Sequence, residues 1–397
     1  MKFRLFVLYS LLCGVLPDVV ICCAAAAGVP LLLQLLICLP TAILLACLPF
    51  IGTGRHYTDS VRLYSYMMFI FGVPKLVFTI FWAAGRFLLG VPEHPALWIA
   101  LAAGAAVSLF FLAMVFYVSR RIKVVDVELA FEGLPAAFDG LRICQLSDIH
   151  LGSFGRRAPY VRRVMEKALS QQADLILFTG DLVNFEAREA DYYKKELTRL
   201  HAPMGVIAIR GNHDYLMHGP LKGEALQADA DHLLDLERSL GWTLLLNDSV
   251  ILRRGEDAIA VAGVENVSTN PYFSHTGGDL KKALEGIPEG LFTILMSHDP
   301  THWRREILPT TDIPLTLSGH THGLKYKLIG FKPSHWRLPE SAGVYTEGAQ
   351  RLHVSGGLGS AFAFRIGGFP KIEIIKLTRY GKLDNDRQPD VRIGNDG

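Results

Sequence analysis

Asp148-Ile149-His150, Gly180-Asp181, Gly211-Asn212-His213-Asp214, Ser297-His298 and Gly319-His320-Thr321-His322 set carboxylate, amide and imidazole side chains beside small residues or turns, in that order along the chain. Such donors suit divalent zinc, manganese or iron, and no cysteine competes within the motifs. Two carboxylates facing two dications would leave the centre cationic, so it would attract a phosphate anion and stabilise charge growing on its oxygens. A lone Asp or His at a strand end is most often a turn residue satisfied by its neighbours. Five such pieces in one order outweigh that reading.

Most of the motifs directly follow an apolar run that reads as a buried strand: Leu175–Thr179, Gly205–Ile209, Phe292–Met296 and Pro314–Leu317. Strand ends that aim polar groups at one place are how α/β folds build sites. Candidate helices at Ala158–Gln171, Ala187–Arg199 and Ala228–Leu240 alternate with these strands. Residues 119–140 read as a connector with a short strand at Lys123–Phe131, 141–380 as the site-bearing domain, and 381–397 as a polar, disordered tail. No internal repeat and no Gly-x-x-x-x-Gly-Lys nucleotide loop is present.

From Leu141 to about Arg379 the series Asp-x-His, Gly-Asp, Gly-Asn-His-Asp, His and Gly-His-x-His resembles the calcineurin-like metallophosphoesterases. The resemblance implies an α/β fold: a four-layer α-β-β-α sandwich of two mixed sheets flanked by helices. It also implies two divalent ions (Mn, Zn, Fe or Mg), with Asp148, His150, Asp181 and His322 on one and Asp181, Asn212, His298 and His320 on the other. His213 is then no ligand; it stabilises the transition state or protonates the leaving oxygen. The protein serine/threonine phosphatases of this superfamily carry acid-Arg-Gly shortly after Gly-Asp, whereas this chain has Leu182-Val183-Asn184-Phe185. An Asn at 184 offers no carboxylate to His213, which is expected to be mostly neutral near pH 7 unless another acid is near. A net charge of +2 without a long basic stripe argues against a nuclease, and no nucleic acid is expected as partner.

Half of the composition is hydrophobic, 50 %, and the excess lies before residue 119. Stretches near Phe3–Ala25, Val29–Phe50, Tyr66–Leu89 and Ala96–Val118 are each long enough to cross a bilayer, so residues 1–118 read as a bundle of about four transmembrane helices. Pro17 and Asp18 make the first the least regular, and Asp18 reads as an isolated charge, unlike the paired charges of a transport path. With four spans, Lys2, Arg4, Arg55, Arg62, Arg120, Arg121 and Lys123 share one side and Arg86 lies on the other, which puts the catalytic domain in the cytoplasm at an inner or plasma membrane. Five of the six cysteines sit in the apolar region and Cys144 in a strand, so no disulfide framework is visible.

Three features bear on substrate. Arg156, Arg157, Arg162 and Arg163 crowd a helix start, facing anionic lipid, a second phosphate or solvent. Phe331, Trp336, Tyr345, Phe362, Phe364 and Phe369 offer core packing or an apolar rim for a lipid tail. Arg365 after Gly356-Gly357-Leu358-Gly359 is a candidate phosphate clamp or a structural ion pair, and Asn184 and Tyr215 are candidate substrate contacts. The expected function is a membrane-anchored dimetal phosphoesterase acting on a phosphodiester, pyrophosphate or monoester, with the bilayer and a lipid-linked phosphate as partners. The pyrophosphate of a UDP-linked acylated sugar, cleaved by some relatives, is one option. The rivals are a soluble-substrate phosphodiesterase of cyclic-nucleotide type that uses the helices only as anchor, and a non-catalytic membrane sensor.

Overall fold

The computed structural model describes residues 3–25, 31–156, 159–267, 277–322, 339–361, 364–365, 368–380 and 392–393. Arg157, Phe331, Trp336 and Phe362, singled out above, lie outside them. The chain divides into two units, one built chiefly on the residues up to Val118 and the other from Ser119 onward.

In the first unit, Phe3–Cys23, Gln34–Thr53, Tyr57–Leu88 and Glu93–Arg120 form helices long and apolar enough to cross a membrane. About 20 residues at 1.5 Å rise match a hydrocarbon core of about 30 Å. The first helix passes Pro17, which has no N–H to give the preceding turn, just after a π-helical turn at Leu11–Val15. Asp18 is not isolated, contrary to the sequence expectation. Lys75 Nζ donates to Asp18 Oδ1 at 2.5 Å and to Thr41 Oγ1 at 3.0 Å. The three residues belong to three different spans, and no pattern within one span reveals such a pairing.

The second unit carries its strands in chain order: β1 (Lys123–Phe131), β2 (Arg142–Leu146), β3 (Leu175–Phe178), β4 (Val206–Ala208) and β5 (Thr243–Leu244). Next come β6 (Asp248–Arg254), β7 (Asp257–Gly263), β8 (Thr293–Met296), β9 (Leu315–Ser318), β10 (Gly343–Glu347), β11 (Gln350–Val354), β12 (Lys371–Arg379) and β13 (Arg392–Ile393). They form two mixed sheets, ordered β13-β1-β12-β2-β3-β4-β5 and β10-β11-β9-β8-β7-β6. Residues 123–131 therefore do more than connect: β1 pairs along its whole length with β12, in parallel from Lys123↔Lys371 to Phe131↔Arg379. Of the tail from 381, only Arg392 and Ile393 lie among the described residues, and there β13 adds to β1.

The layers follow from strands that are apolar on both faces. In β3, Leu175 and Leu177 enter the core between the sheets with Ile143, Ile207, Ile294 and Leu317. The alternate residues Ile176 and Phe178 face the helices Pro159–Leu169 and Gly223–Ser239 through Val164, Met165, Leu233 and Leu236. Beyond the second sheet Trp303, Ile307, Leu280 and Ala283 complete the fourth layer. The expected helix at Ala187–Arg199 is instead two single turns, Arg188–Asp191 and Lys194–Leu197. Tyr193 breaks it: its φ is −120°, its ring is buried and its hydroxyl bonds the Gly155 carbonyl. Arg162 and Arg163 are exposed on their helix, and Arg156 lies over the Tyr192 ring at 5.3 Å.

One polar group crosses the apolar core between the sheets. Gln145 on β2 donates to the Ser318 carbonyl on β9 at 3.0 Å and accepts from His353 Nδ1 on β11 at 2.7 Å. Burial, with repulsion from Lys371 behind it, pushes His353 down from 6.5 to about 4. The unfolded chain takes up this proton near pH 6.5 and the folded chain only near 4. Stability should therefore fall as pH drops through that window, by about 1.4 kcal/mol per unit and about 3 kcal/mol in all. Denaturant titrations from pH 7 to 4 check this, and His353→Gln should flatten that slope.

Candidate metal centre

All the metal-type side chains leave the carboxyl ends of parallel strands. Asp148 and His150 follow β2, Asp181 follows β3, Asn212 follows β4, His298 follows β8, and His320 and His322 follow β9. The turns that hold them are unusual. Of the nine non-glycine residues with positive φ among those described, five are Asp148 (51°), His150 (51°), Asp181 (60°), His320 (71°) and His322 (52°). Left-handed backbone outside glycine is uncommon and concentrates at functional sites. The glycines explain the motif spellings. Gly180 has φ 95°, and a Cβ on it would meet Gly211 N at 2.5 Å. A Cβ on Gly319 would lie 2.0 Å from Ser147 Oγ and 2.4 Å from Asp148 Oδ2.

Three overlapping groups keep their ligand atoms within 4.8 Å: Asp148, His150 and His322; His150, Asp181 and His213; and Asp181, His298 and His320. Asp181 lies between them, with Oδ2 at 3.4 Å from His150 Nε2 and 3.2 Å from His298 Nε2. Asn212 Oδ1 is 2.8 Å from His320 Nδ1, which brings the amide to the same cluster. Both ring nitrogens of His150, Nε2 of His298 and Nδ1 of His322 are buried without a hydrogen-bond partner. Buried polar atoms are rarely left so, and an ion is one of the few explanations. The donors fit divalent cations: carboxylates, an amide oxygen and imidazoles with free lone pairs. His298 has its tautomer set for this, since Nδ1 donates to the Thr179 carbonyl at 2.7 Å and leaves Nε2 to the site.

The electrostatics divide the histidines. Burial lowers His298, yet the Asp181 carboxylate outweighs it and lifts the ring to about 10. Burial would likewise raise Asp181, but His298 and His213 hold it well below the usual carboxylate range. A cation bound between them competes with a proton, so binding there releases acid. Burial pushes His322 well below the usual range, with His150 and Arg365 adding repulsion, although 21 % of its side chain reaches solvent. His320 and His322 are the half-buried members and mark the open side.

The expected substrate contacts sit differently. Arg365 is buried, and its guanidinium donates to the main-chain carbonyls of His322 (2.9 Å), Gly356 and Gly359. It holds the backbone around a candidate ligand, so neither the phosphate clamp nor an ion pair describes it. Asn184 Nδ2 donates to Ser153 Oγ at 3.0 Å, while its carbonyl accepts from His213 Nδ1 at 2.7 Å. The Tyr215 hydroxyl donates to Glu265 at 2.9 Å, and Arg210 lies over its ring. Asp214 serves the backbone of two turns. Buried, it accepts the N–H groups of Asp181, Leu182, Val183 and Gly211 at 2.8 to 3.2 Å. Sequence reasoning passed over Glu189, another buried carboxylate fed by main-chain N–H groups. An acid in a one-turn helix carries no motif that would have marked it.

The family model described as calcineurin-like phosphoesterase matches residues 141–324. The chain is similar to proteins named "Transmembrane protein with metallophosphoesterase domain" from Danio rerio (32 % identical, covering 50 % of this chain and 44 % of that one) and Bos taurus (33 %, covering 50 % and 44 %). It therefore spans less than half the length of these two relatives. It is also similar to a UDP-2,3-diacylglucosamine pyrophosphatase of Chlamydia trachomatis, 30 % identical over 48 % of this chain and 67 % of that one. With its motifs gathered at the strand ends of a two-sheet α/β sandwich, the chain belongs to the calcineurin-like phosphoesterases.

Proposed function

We propose that the chain is a membrane-anchored dimetal phosphoesterase, facing the cytoplasm, that hydrolyses a phosphodiester, pyrophosphate or monoester on a lipid-linked substrate. The observation that carries it is the pair of ligand clusters on either side of Asp181, with imidazole nitrogens buried and lacking partners. Asp148, His150 and His322 would hold one divalent ion, Asn212, His298 and His320 the other, and Asp181 both. When bound, the ions supply positive charge against the phosphoryl oxygens and activate water near neutral pH. Four helices able to cross a bilayer, and a relative named for a diacylated sugar nucleotide, support the lipid-linked class. The lysines and arginines on one side of the spans support the cytoplasmic orientation.

His213 does the proton work in this reading. Its Nδ1–H is committed to the Asn184 carbonyl, so Nε2 carries a proton only as imidazolium and accepts one when neutral. Its main-chain N–H meanwhile donates to Asp181 Oδ1 at 2.9 Å, which couples the turn of the acid to the proposed bridging ligand. His213→Ala should slow release of a poorly activated alkoxide about a hundredfold while metal content holds.

The test uses full-length protein in detergent with a chromogenic phosphodiester, its monoester and a lipid pyrophosphate in mixed micelles, with and without a chelator. Chelator-sensitive turnover that favours the lipid supports the proposal. Turnover of the small diester alone would favour an anchored enzyme for soluble substrates. No turnover with manganese, zinc, iron or magnesium on any of the three would favour the sensor.

A further inference from the structure

We infer that Glu189 is a positioning residue that orients His213 through a peptide plane; this rests on the role proposed for His213. Glu189 Oε1 accepts the N–H of Phe185 at 3.0 Å, and Oε2 accepts the N–H of Asn184 at 2.6 Å. The Asn184 carbonyl accepts the Nδ1–H of His213 at 2.7 Å. The Asn184 C=O and the Phe185 N–H belong to one peptide unit, and in a trans peptide they point in opposite directions. One flat amide is therefore held by a carboxylate on one edge and carries the imidazole on the other.

Two effects follow. Fixing the plane fixes the direction of the carbonyl lone pairs, and with them the tilt of the His213 ring. An acceptor on the N–H also polarises the amide and strengthens the bond its oxygen accepts. The carboxylate thus steadies the bond that orients His213 without touching the ring. The same Oε2 accepts the N–H of Gly152 at 3.1 Å, two residues past His150, and so ties the loop after the first metal motif to the loop after Gly180-Asp181. The fit is close: a Cβ on Gly152 would lie 2.5 Å from Oε2. Glu189 is 2 % exposed, a dry setting in which such bonds keep their strength.

The experiment measures kcat and KM on aryl phosphodiesters of graded leaving-group acidity for wild type, Glu189→Gln, His213→Ala and the double variant, with metal content alongside. Glu189→Gln should lower kcat about tenfold for poor leaving groups and under about twofold for nitrophenolate, at unchanged KM and metal content. In the His213→Ala background it should add under about twofold, because the two residues act in series. Equal losses across the series, a full further loss in the double variant, or no loss at all would overturn the inference. Should Glu189→Gln not accumulate as folded protein, Glu189→Asp makes the same comparison by shortening the reach. A wild type with no metal-dependent turnover overturns the proposed function and this role together, whereas active wild type with a flat leaving-group response overturns this role alone.

Discussion

Asp181→Asn should cut metal-dependent turnover by about a thousandfold or more and strip most of the bound metal, the largest effect expected of any single change. The substitution is nearly isosteric, and Asn tolerates the left-handed φ of 60° at this position. Its amide oxygen can still accept the His213 N–H that Asp181 Oδ1 takes now. What it removes is the buried negative charge at Oδ2, 3.4 Å from His150 and 3.2 Å from His298. Without that charge the largest offset to the burial of His298 is gone, and the two clusters lose the anion that joined them. Metal analysis and kinetics on the same preparation decide it. A variant that keeps its full metal complement and half its turnover would rule out the bridging role.

Asp214→Ala should cost about 4 kcal/mol of stability, roughly 10 °C of apparent melting temperature. The carboxylate gathers four main-chain N–H groups from two turns, those of Gly180-Asp181 and Gly211-Asn212. Each donor left dry costs about 1–3 kcal/mol, and they do not add fully because the turns relax together. Asp214→Asn should fall between, since its oxygen serves some donors while its NH2 opposes the others. A scan showing Asp214→Ala within about 2 °C of wild type would mean that water reaches these donors, contrary to the full burial of the side chain.

The sequence was most legible where local chemistry and long-range geometry coincide. The metal-type residues could be named because each stands beside a glycine or at the end of an apolar run, and strands that are apolar on both faces announce a sheet covered on both sides. It was least legible where a side chain serves distant backbone. Nothing near Arg365 says that its guanidinium turns to the carbonyls of His322, Gly356 and Gly359, because an arginine beside a glycine-rich loop reads equally well as a phosphate clamp. Asn184 misled in another way: its side chain drew the attention, while its carbonyl makes the contact with His213. Main-chain atoms are the same at every position, so a residue's type cannot report what its backbone does. Tyr193 shows the reverse, a single buried aromatic that overrides a helical pattern over 187–199.

The contact between Asp18 and Lys75 bears on how this polypeptide is made. A charged residue at the centre of an apolar helix costs about 2.5–3.5 kcal/mol to insert alone. The first helix brings an anion and the third a cation, so each is a poor membrane segment by itself and both are better together. The ribosome delivers them 57 residues apart. Cutting the chain between the second and third helices would leave Asp18 unmatched in any fragment that retains it.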